Sequence, residues 1–135
     1  MSTLKSLKTQ WLGIALCGGL MVLPVAAYAN ASSEAATAAE HAGFSAAATT
    51  LRVAHMHLHH TLNCLVGPKG RGFNSKFMNP CAHLGHGAIP DARDVHTRTE
   101  LEHIANQVRM ALGINRLPTV KKDALKIQAE LKRVK

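Results

Sequence analysis

Two short runs carry most of the reactive side chains of this 135-residue chain: "HMHLHHTLNC" and "CAHLGH". They supply His55, His57, His59, His60, His83 and His86, together with Cys64 and Cys81. Neutral imidazoles bind Cu(II), Zn(II) and Ni(II) well, whereas thiolates paired with imidazoles suit Zn(II) or Cu(I). The same imidazoles also take up protons near pH 6.5, so a pH-responsive role is the chemical alternative. Nothing else in the chain resembles a catalytic set. There is no G-x-S-x-G, and the nearest carboxylates to the histidine runs, Asp91 and Asp94, lie at the far end of the intervening loop. No enzymatic activity is expected.

The element that must position the first run is a helix. Phe44, Ala47, Ala48, Leu51, Leu58, Leu62 and Leu65 recur at helical spacing, so the pattern predicts one long helix over residues 32–66. Ser32 or Ser33 serves as its cap, and Gly67-Pro68 ends it. Gly43 is the expected weak point. A strand reading of "HMHLH" would resemble the H-x-H-x-D-H motif of metallo-β-lactamase-type hydrolases, but His59 stands where the aspartate belongs. The helical pattern on both sides selects helix.

With Leu51 at 0° and about 100° per residue, the core stripe centres near 0–20°. His55 then falls at about 40° and His59 at about 80°, an i, i+4 pair able to chelate one ion. His57, His60 and Cys64 fall together on the opposite side. Residues 67–93 form a long loop rich in Gly, Pro and Asn. Bridging Cys64 to Cys81 would staple it, for about 3 kcal/mol in the chain-entropy account. The bridge would draw His83 and His86 toward His60 and His57, giving four imidazoles around one ion. Ordinary alternatives stand beside this. His55 could be a core-edge histidine bonded to a neighbouring helix, and His57 and His60 could be solvated. His41, His96 and His103 read as surface, Met56, Met78 and Met110 as packing, and Lys69, Arg71 and Lys76 as a solvated loop.

Two further helices follow. Residues 95–112 carry the stripe Leu101, Ile104, Ala105, Val108 and Leu112 behind a Thr97-x-x-Glu100 capping box. Residues 118–134 start at Pro118 and carry Val120, Ala124, Ile127, Leu131 and Val134. The expected fold is all-α: a small antiparallel three-helix bundle, or a four-helix one if the first helix folds back at Gly43. At about 50 Å against about 25 Å for its partners, that helix must otherwise overhang or pack on a second copy, as in a homodimer.

The N-terminal segment belongs to a different category. Lys5 and Lys8 precede an uncharged run from Trp11 to Ala27, and Ala27-Tyr28-Ala29 offers a cleavage site. That is the layout of a secretory signal peptide over residues 1–29, leaving a single helical domain over 30–135 with no membrane span. Export to the periplasm or beyond also makes a disulfide the default for Cys64 and Cys81. The remainder keeps all nine histidines and has fourteen basic side chains against eight acidic ones, a formal charge of +6. Its aromatics are Phe44, Phe73 and Phe77. Too few stacking surfaces remain for single-stranded nucleic acid, and the positive charge fits solubility or an anionic envelope surface. With no C-x-x-C-H there is no covalent haem; a non-covalent haem would have only His55 and Met110 as axial candidates.

In composition and architecture the chain resembles small histidine-rich periplasmic metal-binding proteins. The resemblance implies a helical protein that binds or buffers a transition metal (Cu, Zn or Ni) in the envelope. Its metal ion would be the principal partner. A non-catalytic pH-responsive or structural envelope protein is the other expectation.

Overall fold

The computed structural model describes residues 31–134. The proposed signal segment lies outside the described residues. Five helices and no strands are present among them: α1 (Ala31–Ala47), α2 (Leu51–Val66), α3 (Ala88–Asp91), α4 (Val95–Leu112) and α5 (Leu117–Leu131). The four long helices form a small bundle in which α1 packs on α2 and α5, and α4 packs on the same two. None of the described helices is long and apolar enough to cross a membrane.

The expected helix over 32–66 is two helices, and the break is not at Gly43. It falls at Ala48–Thr50, where two β-branched threonines favour leaving the helix. Thr50 is extended (φ −133°, ψ 151°), and its hydroxyl accepts the Val53 N–H, starting α2 afresh. The Ser45 hydroxyl donates to the Ala54 carbonyl at 2.9 Å, fastening the turn. Gly43 stays within α1, where the amide end of the Gln128 side chain of α5 lies over it.

The α1 face is also not the expected one. Phe44 and Ala47 are exposed, and the buried side is Ala35, Ala38, Ala39, Ala42 and Ala46, with Glu34 and Ser45 among them. Small side chains allow α1 to lie tight against its neighbours. The apolar mass comes from elsewhere: Leu58, Leu62 and Leu65 of α2, Leu101, Ile104 and Val108 of α4, and Val120, Ile127 and Leu131 of α5 are all essentially inaccessible. These are the three stripes read from the sequence.

One cap and the loop also differ from expectation. Asp94, rather than Thr97, caps α4, accepting the Thr97 N–H at 2.8 Å. Aspartate adds a charge that favours the positive end of the helix dipole, which a threonine cannot. The loop after α2 contains the four-residue α3, so 67–93 is not wholly irregular. Cys64 and Cys81 are disulfide-bonded, with Cα atoms 5.1 Å apart. Beside them the buried Asn63 accepts the Asn74 N–H and turns its amide to the carbonyls of Asn74, Phe77 and Met78. One side chain thereby sets the path of the loop. Gly67 (φ 65°) then brings α2's end against the His86 carbonyl, where any Cβ would clash.

Candidate metal centre

The antiparallel α1–α2 pair has a regular register. Ser45 lies opposite Ala54, and Ala38 opposite Thr61, whose hydroxyl reaches the Ala38 and His57 carbonyls at 3.3 and 3.0 Å. Between those two cross-links His41 of α1 meets His57 and His60 of α2. One ring nitrogen from each lies within 4.8 Å of the other two. The ring centroids are 5.0–5.5 Å apart. Phe44 packs against His41 and His57 with centroids 5.4 Å from each, shielding one side.

Three observations fit an ion between these rings. His41 and His57 approach through their Nδ1 atoms at 3.3 Å. Two nitrogens at about 2.1 Å from a tetrahedral ion would be about 3.4 Å apart. The Nδ1 of the buried His60 has no hydrogen-bond partner, a costly condition that a ligand would relieve. Finally, the imidazoles are held neutral, the form that ligates. Burial, and then the neighbouring His60 and His57, push His41 down to about 4. Burial also lowers His57, and burial with His57 and His59 lowers His60. No carboxylate belongs to the cluster. Three neutral nitrogen ligands could hold a transition-metal ion.

The sequence-predicted residues divide. His57 and His60 come together on the far side of α2, as the helical projection places them. His41, expected at the surface, is the third member, and this is a correction: the fold-back at Ala48–Thr50 brings it there. His55 instead lies within 3.0 Å of the Ile114 carbonyl through Nε2, the core-edge arrangement. Met110 is exposed, so the His55–Met110 pair does not line a haem cavity. His59 stacks on Phe77 with centroids 4.0 Å apart, and burial followed by the adjacent His55 lowers its pKa. His83 is exposed and His86 lies against Asp91, Nδ1 to Oδ1 at 3.2 Å. Neither is in the trio. The loop follows Asn63 and Gly67 to α3 and meets α1 at Glu34, about two turns before His41, so His83 and His86 stay outside the trio.

Sequence reasoning also passed over Glu34, which is fully buried. Its Oε1 accepts the Gly87 N–H at 2.8 Å, while Oε2 is enclosed without a partner. Desolvation raises its pKa from 4.5 to about 7 against the Gly87 hydrogen bond, helped by the carboxylate of Asp91. A signal for both missed residues was present. Glu34, Ala38, His41 and Ser45 recur at i, i+4, i+7 and i+11, one face of α1. Comparison with protein-family models, curated proteins and solved structures finds no match for this chain.

Proposed function

We propose that this is an exported, non-catalytic protein that binds or buffers a transition metal through His41, His57 and His60. The observation that carries this reading is the convergence of three imidazole nitrogens within 4.8 Å. The buried, unpartnered Nδ1 of His60 supports it. Neutral ligands and an uncharged shell favour soft or borderline ions, so Zn(II) and copper fit better than Mg(II) or Ca(II). Export is supported by the Lys5 and Lys8 run into the apolar segment, the Ala27-Tyr28-Ala29 site and the disulfide. A mild-acid sensor is less well supported, because burial takes His41 down to about 4.

Competition of the metal-free protein against a chromophoric Zn(II) chelator at pH 7.5 tests the site. One ion per chain is expected. His41→Ala and His60→Ala should each weaken binding by about 100-fold, with His83→Ala unchanged. Equal affinity in wild type and His41→Ala would overturn the assignment. N-terminal sequencing of protein from the periplasmic fraction tests export, with Asn30 expected as the first residue.

A further inference from the structure

Apart from the histidine trio, α4 faces the segments 66–71 and 85–90, His86 among them, across a cavity of about 650 Å³. That volume lies within the range of small-molecule sites. Arg98, Glu102, Asn106 and Arg109 recur at i, i+4, i+8 and i+11 and line the α4 wall. Lys69 and Arg71 stand on the loop rim. The lining therefore holds four permanent cations against one carboxylate. Val66, Ile89 and Pro90 supply an apolar floor.

The cations are not matched internally. Arg109 donates from Nη1 to Asn106 Oδ1 at 2.6 Å and from Nη2 to the Arg71 carbonyl at 3.0 Å, both neutral acceptors. Its Nε is enclosed beside Gly72 without a partner, so an anion would meet the outer Nη groups. Arg98 donates to the Ala92 carbonyl at 2.7 Å. No described carboxylate lies in salt-bridge distance of Arg98, Arg109, Lys69 or Arg71. A half-buried guanidinium held only by neutral groups keeps most of its capacity to pair with an anion, and its fork matches a carboxylate in geometry. Burial and the nearby Arg71 also lower the Arg109 pKa, a cost that an anion would remove.

We propose that this cavity is a second binding site, for a small organic carboxylate with an apolar body. The acid head pairs with Arg109 and the rim cations, and the body lies on Val66, Ile89 and Pro90. The walls are fixed in advance by the Cys64–Cys81 bridge and the Gly67–Gly87 contact, so little ordering is required on binding. The histidine trio takes no part, and the site is independent of metal.

Titration of the metal-free full chain with octanoate, followed by amide and arginine Nε resonances, is the test. Octanoate should shift Val66, Ile89 and the Arg109 side chain, while neutral octanamide binds about tenfold more weakly. Arg109→Gln should remove that preference and leave octanamide unaffected. If that variant does not fold by circular dichroism, Arg71→Gln is substituted, with about threefold loss expected; its exposed side chain makes no structural bond, since only its carbonyl is used. Equal binding of octanoate and octanamide would overturn the proposal. So would unchanged octanoate affinity in the folded variant, shifts confined to another face, or inorganic phosphate binding as tightly as octanoate.

Discussion

Glu34 gives this small bundle a pH dependence that one substitution should abolish. The carboxyl is enclosed by α1, α3 and the turn at Gly87, and its pKa stands at about 7 in place of 4.5. Between those two values the folded chain holds a proton that the unfolded chain has released. Raising the pH through this window therefore favours unfolding, and the loss is complete above about 7. A shift of this size at about 1.4 kcal/mol per unit amounts to about 3 kcal/mol. Glu34→Gln keeps an oxygen for the Gly87 N–H and cannot ionise. Urea unfolding by circular dichroism, with chelator present, should show similar stabilities for variant and wild type at pH 4.5. By pH 8 the variant should be ahead by about 3 kcal/mol. His41 works in the opposite sense. Held down to about 4, its neutral form adds stability that is fully present above 6.5 and lost as pH falls toward 4. It is common to both proteins and cancels from the difference. A difference that stays constant from pH 4.5 to 8 would refute the reasoning.

Three other outcomes are expected. Zn(II) affinity should begin to fall only at a pH well below 6.5, because burial lowers all three imidazoles of the trio, His41 to about 4; chelator competition across pH measures this, and a fall beginning at about 6.5 would indicate ordinary solvated imidazoles. Asn63→Ala leaves buried backbone groups of the loop unpaired and should lower unfolding free energy by about 3 kcal/mol. Replacing both Cys64 and Cys81 by Ala opens the staple and should cost about 3 kcal/mol by chain entropy, read from urea midpoints.

Much of the fold was legible because α2, α4 and α5 contrast leucine, isoleucine and valine with charged residues. Their stripes name the core directly. The disulfide was legible from the two cysteines that lie outside the proposed signal segment. The α1 helix was not, because alanine occurs on all its faces and gives no apolar contrast. Its inward side could be found only through Glu34, His41 and Ser45, polar residues that a hydrophobic count ignores. The site was half legible for the same reason. His57 and His60 share a face on one helix, which arithmetic recovers, but His41 arrives across a turn whose position depended on Thr50 rather than Gly43. The route of the loop was hidden in Asn63, a single buried amide that directs three carbonyls.

The alanine seam bears on how a bound ion would depart. Each methyl contributes only about 0.8 kcal/mol of burial, so α1 is held on α2 and α5 by many small contacts rather than by a few large side chains. Swinging it out on the Ala48–Thr50 joint removes one donor and leaves His57 with His60 on an intact α2, a pair that grips far less firmly. Amide exchange faster across 31–47 than across 51–66 is the signature of such a door. Release of an ion by that route would require α1 alone to move, with the end of α2 still tied to the loop by the Cys64–Cys81 bridge.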